Sequence, residues 1–150
     1  MSQVFDLQVQ ILPEHLDELG QVQQMAYLAW MQQIAQAHST HLGLSLEIFQ
    51  QLKHAMVVVE QHVQYRKAAF LADQLILRTW VSKTDSMHSY RDYALYRAKD
   101  AAIILVGTTK WACVELSTGR PKRMSPTFIQ AYSALSEQVN PFDFTENTDF

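Results

Sequence analysis

The pattern of hydrophobic and polar positions predicts one long helix near the start of the chain. It spans residues 21–41 and ends before Gly43, a glycine suited to the left-handed position after a helix. At ~1.5 Å per residue, the helix is about 30 Å long. Its first half, Met25–Met31, is apolar in every direction, so we expect burial on all sides. The second half contains polar side chains, which predict that the C-terminal end of the helix is exposed. They are Gln32, Gln33, Gln36, Ser39 and Thr40.

Alternating hydrophobic and polar positions predict five strands around this helix. They are Gln3–Leu12, Met56–Tyr65, Gln74–Lys83, His88–Lys99 and Ala101–Leu116. Two short helices are also predicted: Ser45–Lys53, and one that Ser125 caps with Pro126 at its first position. Short turns join the last four strands, which makes them antiparallel neighbours. We therefore predict an α+β fold in which a curved antiparallel sheet of about five strands wraps a long central helix.

Composition places the chain among single-domain proteins of a reducing compartment. We assign residues 1–139 to one domain and residues 140–150 to a C-terminal tail. The balance of 12 Lys and Arg against 15 Asp and Glu provides no basic excess for nucleic acid. Cys113 is the single cysteine, which excludes an internal disulfide and suits a buried small hydrophobe. The absence of an N-terminal signal pattern and of a long apolar run predicts a cytoplasmic protein without a membrane span.

The tail combines acidic residues with three aromatic ones. Phe142, Phe144 and Phe150 interrupt a segment that has no helical or strand periodicity. Two outcomes are compatible with this pattern. Either the rings dock on the domain, or the tail stays disordered.

Candidate chemistry lies just before the long helix. Asp17 stands three residues before Gly20, and the sequence reads Asp-x-x-Gly-x-Val-x-x-x-x-Tyr as far as Tyr27. The first N–H groups of a helix have no intrahelical acceptor, and the helix dipole favours negative charge beside them. A carboxylate at this end can act as a base or nucleophile while the N–H groups hold a carbonyl oxygen. Glu14 and Glu18 are nearby carboxylates that we expect to be exposed.

This pattern resembles the opening of hotdog-fold acyl-CoA thioesterases of the 4-hydroxybenzoyl-CoA thioesterase type. Two further stretches are similar to that family: Tyr65-Arg66-Lys67-Ala68-Ala69 with Asp73, and Thr108-Thr109-Lys110-Trp111 with Thr118-Gly119-Arg120-Pro121. Together they span roughly residues 9–124. The chain departs from the family at residues 21–24, Gln-Val-Gln-Gln, where many relatives carry His-Val-Asn-Asn or an aromatic residue.

The resemblance implies an acyl-CoA thioester hydrolase that needs neither a metal nor a cofactor. Asp17 is its catalytic carboxylate, either as general base or as nucleophile. Backbone N–H groups near Gln23, Gln24 and Met25 polarise the thioester carbonyl, and Gly20 lets the substrate approach the helix end. Tyr27 belongs to the same substrate site, although its apolar surroundings favour a packing role.

The resemblance also implies partners. The substrate is an acyl-CoA or an acyl carrier protein thioester, and the protein is a homodimer or homotetramer. Arg120, Lys122 and Arg123 form a candidate clamp for the phosphates of coenzyme A, with Arg66 and Lys67 as a second candidate group.

Two other functions remain open at this point. One is a non-catalytic acyl-CoA-binding hotdog protein, and the other is a hotdog dehydratase, for which His15 is the only nearby histidine. Two further groupings carry weak signals. His38 and His41 share a helix face without a third metal ligand, and the stretch Asp85–Ser89 contains serine, histidine and aspartate in what we interpret as a loop.

Overall fold

A five-stranded antiparallel sheet and a long helix make up most of the molecule. The computed structural model describes residues 4–144. The strands are β1 (Phe5–Val9), β2 (His54–Tyr65), β3 (Leu75–Thr84), β4 (His88–Arg97) and β5 (Ile103–Glu115). The helices are α1 (Gln24–His41), α2 (Leu46–Leu52) and α3 (Pro126–Ala131), and a 3-10 turn covers Pro13–His15.

The strand order across the sheet is β1-β3-β4-β5-β2, and each neighbouring pair is antiparallel. Helix α1 packs against one face of this sheet, because the inward residues of β1, β3, β4 and β5 join its apolar residues in one core. The predicted α+β hotdog architecture is confirmed.

The prediction that α1 begins at Gln21 is wrong by three residues. Gln21 and Val22 form isolated bridges with Phe70 and Leu16, so their backbone is extended. The helix begins at Gln24, after the extended residue Gln23. Because the bridges already use the backbone of this segment, the chain cannot turn into the helix earlier.

Burial of α1 is one-sided rather than complete. Trp30 and Met31 are buried, as are five other residues of the inward face: Ala26, Tyr27, Ile34, Ala35 and His38. Met25, however, is 69% exposed and Ala29 is exposed as well. The prediction of burial on all sides is therefore wrong for the single chain, because the sheet covers only one side of the helix.

A second core lies at the C-terminal end of α1. Cys113, Phe128 and Tyr132 are buried there with Leu44, Val81 and Met124. Ser125 caps α3 as predicted, since its hydroxyl accepts the N–H of Phe128. Cys113 is 1% exposed, which confirms its prediction as a small buried hydrophobe.

The tail docks on the outer face of the sheet. The Phe144 ring stacks on Tyr96 with 3.8 Å between ring centroids, and Phe142 meets Trp80 edge-on at 5.5 Å. Arg78 pairs with Asp6 and donates to the carbonyls of two tail residues, Pro141 and Asp143. Docking of Phe142 and Phe144 is thus confirmed, whereas Phe150 lies outside the described residues.

Strand β2 forms one edge of the sheet. Val57, Val58 and Val59 are 40%, 50% and 49% exposed, and a register shift follows between Val58 and Glu60. Three consecutive exposed valines on an edge strand leave apolar surface and backbone groups available for pairing. No helix within residues 4–144 has the length and apolar character needed to cross a bilayer.

Candidate active site

Asp17 organises a tight turn (residues 17–22) at the N-terminal end of α1. The N–H groups of Leu19 and Gln21 both donate to Asp17 Oδ1, over 2.9 and 3.0 Å. The Asp17 N–H in turn donates to the Gln21 carbonyl over 2.7 Å. The side chain is exposed, and Oδ2 forms no hydrogen bond with any described residue. One carboxylate oxygen therefore holds the turn, while the other faces solvent.

Gly20 has a backbone reason to be glycine in this turn. Its φ is +79°, a left-handed conformation that side-chain-bearing residues adopt at a cost. A methyl group built on its Cα meets nothing within 4 Å. The glycine is therefore required by the turn geometry and not by close packing.

Two backbone N–H groups are available at the start of α1. The Gln23 N–H donates to the His15 carbonyl over 2.9 Å, which removes it from the three donors predicted from the sequence. The N–H groups of Gln24 and Met25 have no acceptor within residues 4–144, as is usual for the first turn of a helix. Both residues are exposed. Of the three donors predicted from the sequence, those of Gln24 and Met25 are therefore still available.

Tyr27 is a buried neighbour of this turn. It is 5% exposed and contacts the rings of Tyr65 and Trp30, with centroids 5.5 and 5.7 Å apart. Burial, with smaller contributions from nearby charges that include Asp17, raises the pKa of Tyr27 to about 12. The phenol therefore stays protonated at neutral pH. Its ring packs against two aromatic neighbours in the single chain.

The stretch after β2 lies against the same turn. The Val22 N–H donates to the Ala69 carbonyl over 2.9 Å, and Asp73 accepts the Phe70 N–H over 3.0 Å. Arg66 and Lys67 precede this contact, and their side chains are exposed. These two cations therefore belong to the segment that leads into the contact with the Asp17 turn.

The other basic cluster, residues 120–123, lies at the opposite end of α1. Lys122 Nζ pairs with Glu115 over 2.9 Å and donates to the Leu52 carbonyl over 3.2 Å, so this lysine is already engaged. Arg120 and Arg123 are exposed. The 18 residues of α1 separate the cluster from Asp17 by roughly 27 Å. A single chain does not bring the sequence-predicted carboxylate and these cations together.

Comparison with known proteins places this chain in a family. The profile of the Thioesterase-like superfamily matches residues 11–132. The chain belongs to the thioesterase-like superfamily. A search among curated proteins found no match.

Solved structures show the same fold for this thioesterase-like chain. Slr0204, a 1,4-dihydroxy-2-naphthoyl-CoA thioesterase from Synechocystis, superposes with a TM-score of 0.78 at 17% identity, covering 87% of this chain and 96% of its own. SAV2348 from Staphylococcus aureus, solved in complex with CoA, superposes with a TM-score of 0.81 at 16% identity, covering 87% of this chain and 82% of its own. An acyl-ACP thioesterase from Bacteroides thetaiotaomicron superposes with a TM-score of 0.79 at 18% identity, covering 89% of this chain and 54% of its own. At these identities the likeness is one of fold.

His15 has a local structural role in this thioesterase-like protein. Its Nδ1 accepts the Leu12 N–H over 2.9 Å, and its ring meets Trp30 edge-on at 5.0 Å. In the neutral ring the proton is therefore on Nε2. The histidine fixes the 3-10 turn that leads to Asp17.

The remaining histidine groupings do not form a metal site or a triad. No cluster of three or more His, Cys, Asp or Glu side chains suited to a metal occurs in the described part of the chain. His38 Nδ1 accepts a hydrogen bond from Arg91 over 2.6 Å. Asp85 binds the N–H groups of Met87 and His88 in a turn between β3 and β4.

The sequence interpretation missed one residue, Arg91. It lies on β4 at an inward position, alternating with the inward residues Tyr93 and Leu95, and is 3% exposed. The signal was available: an arginine on the apolar face of an alternating strand is an exception that calls for a partner. Arg91 lines a cleft that contains none of the predicted site residues.

Proposed function

We propose that this protein hydrolyses acyl thioesters, with Asp17 as the catalytic carboxylate. The observation that carries the proposal is that the two carboxylate oxygens of Asp17 differ in their hydrogen bonding. Oδ1 accepts two backbone N–H groups, while Oδ2 has no described partner. The turn that Oδ1 holds leads into α1, where the N–H groups of Gln24 and Met25 are available. Membership in the thioesterase-like superfamily supports the same reaction.

The chemistry follows from this arrangement. The thioester carbonyl oxygen binds the two N–H groups, which stabilise the negative charge that develops there. One such donor in a preorganised site contributes ~3–4 kcal/mol. Asp17 then either removes a proton from the attacking water or attacks the carbonyl carbon to form an anhydride that water hydrolyses. Both routes use the same free oxygen.

Coenzyme A is the thiol carrier we propose, with acyl carrier protein as the alternative. One structural neighbour was solved in complex with CoA, and another acts on acyl carrier protein. Arg66 and Lys67 directly precede the segment that pairs with the Asp17 turn in the same chain. Arg120 and Arg123 reach an acyl-CoA bound there only from a second copy of the chain.

The edge strand β2 is where we propose that a second copy binds. Its three exposed valines and unpaired backbone edge offer continuous sheet pairing, which would give a homodimer and hide apolar surface. Exposed Met25 at the start of α1 is covered only if a neighbouring chain lies there. Light scattering coupled to size-exclusion chromatography measures the assembly, and Val58→Lys, which places a charge on the edge, should shift it toward monomer.

A non-catalytic acyl-CoA-binding protein is the second candidate. Two observations favour this candidate: Asp17 is exposed, and its Oδ1 caps a turn. A structural role of this kind is enough to explain the carboxylate without catalysis. A dehydratase receives no support from the structure, since His15 is occupied by the 3-10 turn.

Thiol release separates the two candidates. A panel of acyl-CoA thioesters of increasing chain length is incubated with the protein and the free thiol is measured with a chromogenic disulfide. A hydrolase releases thiol from at least one member at a rate that is proportional to the enzyme concentration and ~10²-fold or more lower in Asp17→Asn. Binding without release by either protein would instead establish the non-catalytic function.

A further inference from the structure

A cleft of about 560 Å³ opens between the C-terminal half of α1, α2 and the inward face of the sheet. Its walls are largely apolar, with Ala35, Leu44, Phe49, Met56 and Leu116 among them. Along α1 its lining runs from Gln32 to Thr40 and begins eight residues after Gln24, or roughly 12 Å along the helix. The cleft is therefore separate from the Asp17 turn of the same chain.

One buried cation, Arg91, lines this cleft. Arg91 is 3% exposed, and no carboxylate within residues 4–144 forms an ion pair with it. Arginine stays charged in proteins. A buried charge without a counter-ion is strongly unfavourable, so its presence in a folded domain calls for a compensating ligand.

The hydrogen bonds of Arg91 leave one edge of the guanidinium available. Nη1 donates to His38 Nδ1 over 2.6 Å and to Thr79 Oγ1 over 3.3 Å, which uses both of its hydrogens. Nε and Nη2 donate to no described residue. These two nitrogens form the planar fork that binds a carboxylate through two parallel hydrogen bonds. His38 and Thr79 hold the opposite side and so fix the direction of the fork.

A second unpaired donor lines the same cleft. His54 Nε2 accepts the Ser125 N–H over 3.0 Å, so in the neutral ring the proton is on Nδ1. That Nδ1 is buried without a hydrogen-bond partner among the described residues. Trp111 Nε1 is a third such donor in this lining. Unpaired donors in one largely apolar cleft indicate a ligand with an acceptor group and a hydrocarbon part.

We propose that this cleft binds an aliphatic carboxylate, with the carboxylate on the Nε–Nη2 edge of Arg91 and the hydrocarbon chain along the apolar wall. Two sources supply this chemistry. One is a free fatty acid. The other is the far end of a dicarboxylic acyl thioester whose thioester lies at Asp17. The second source rests on the proposed function.

Titration calorimetry with octanoate and octanol tests the binding step. The two ligands share a chain length and differ in charge, so the preference for octanoate measures the contribution of the cation. We expect wild type to bind octanoate ~10-fold or more tightly than octanol. Arg91→Met should lose that preference and Arg91→Lys should retain part of it, because lysine keeps the charge without the fork. Lys99→Gln, which removes an exposed cation elsewhere, should bind like wild type.

Thermal unfolding of the same proteins distinguishes a ligand-binding arginine from a structural one. Without ligand, Arg91→Met should unfold at the wild-type temperature or higher, because it removes an unpaired buried charge. Octanoate should raise the unfolding temperature of wild type but not of Arg91→Met. A wild type without preference for octanoate, a variant that keeps the preference, or a much lower unfolding temperature in Arg91→Met would each overturn the proposal.

Kinetics separate the two sources. If the ligand is a substrate end, Arg91→Met lowers kcat/KM for a dicarboxylic acyl-CoA ~10-fold and leaves the equal-length monocarboxylic acyl-CoA unchanged. If it is a free fatty acid, both substrates respond alike while octanoate binding is still lost. Should wild type hydrolyse neither thioester, the proposed function fails, and the octanoate titration still decides the proposal on the cleft.

Discussion

Asp17 Oδ1 accepts the Gln21 N–H over 3.0 Å, so the carboxylate proposed to act in catalysis also closes the turn that precedes α1. This double use separates two substitutions that are often treated as equivalent. An asparagine retains an oxygen acceptor at the Oδ1 position, whereas an alanine retains none. Catalysis and folding can therefore be tested independently at one residue.

Asp17→Asn should lower thiol release ~10²-fold or more, because an amide is neither a base nor a nucleophile for this reaction. Its unfolding temperature should stay close to that of wild type. Asp17→Ala should lose the same activity and also ~1 kcal/mol of the free energy of unfolding, since two turn N–H groups lose their acceptor. Glu18→Gln, one residue away and exposed, is the matched control. Half or more of wild-type turnover in Asp17→Asn would exclude the catalytic role.

Gln24→Pro tests the backbone donors. Gln24 is the first helical residue, where proline is tolerated, and Gln23 has the extended conformation that a residue before proline requires, with φ −86° and ψ 157°. The substitution removes one N–H from the proposed carbonyl site. We expect kcat to fall ~10²-fold with the fold intact. Gln24→Ala, which keeps the N–H, should remain active, and equal activity in the two variants would mean that this N–H does not contact the thioester.

The two basic clusters can be ranked by their effect on KM. Arg66→Gln with Lys67→Gln tests the cluster that leads into the contact with the Asp17 turn, and Arg120→Gln with Arg123→Gln tests the distant one. Loss of a phosphate contact should raise KM for acyl-CoA several-fold and leave a short thioester without the nucleotide unaffected. An effect of the distant pair would require that two copies build one site. Equal losses on both substrates would assign a structural role to the cluster concerned.

Phe144→Ala should lower the free energy of unfolding by ~1–2 kcal/mol, because it removes a stacked ring pair and a contact with a guanidinium. The ring stacks on Tyr96, and Arg78 lies 5.1 Å from its centroid. Phe142→Ala should cost less, since Phe142 is 46% exposed. Urea unfolding measures both. The reverse order of the two losses would contradict the docking of the tail as described.

Acid stability should depend on His38. Burial, with Arg91 and His41 adding to it, lowers the pKa of His38 from 6.5 to about 3. Between these values the unfolded chain binds a proton that the folded chain does not, so the free energy of unfolding falls as the pH decreases through this window. His38→Gln keeps an acceptor for Arg91 and does not titrate. The decrease in the free energy of unfolding between pH ~7 and ~4.5 should therefore be smaller in the variant than in wild type. An equal decrease in both proteins would contradict this role of His38.

Sequence patterns predicted the sheet and helix well, because alternation and helical periodicity report directly on which faces are buried. They failed where long-range contacts decide. The start of α1 depends on the bridge between Gln21 and Phe70, which are 49 residues apart in the chain, and the exposure of Met25 depends on how far the sheet extends. The sequence made Lys122 a candidate phosphate ligand because it is a cation in a basic turn. Its ion pair with Glu115 can be recognised only once the fold is known. The narrower resemblance to 4-hydroxybenzoyl-CoA thioesterases, the catalytic role of Asp17, the oligomer and the cytoplasmic location stay predictions.

The hydrogen bonds of Arg78 have a consequence for the order of folding. This guanidinium on β3 joins Asp6 of β1 to the carbonyls of Pro141 and Asp143, so residues from both ends of the described chain meet at one side chain. During synthesis, β1 and β3 can pair long before residue 143 emerges from the ribosome. Until then Trp80 and Tyr96 are uncovered on the outer face of the sheet. The nascent domain thus passes through a stage in which this aromatic surface is exposed because the tail that covers it has not yet been synthesised. Chaperone binding would be most useful at that stage.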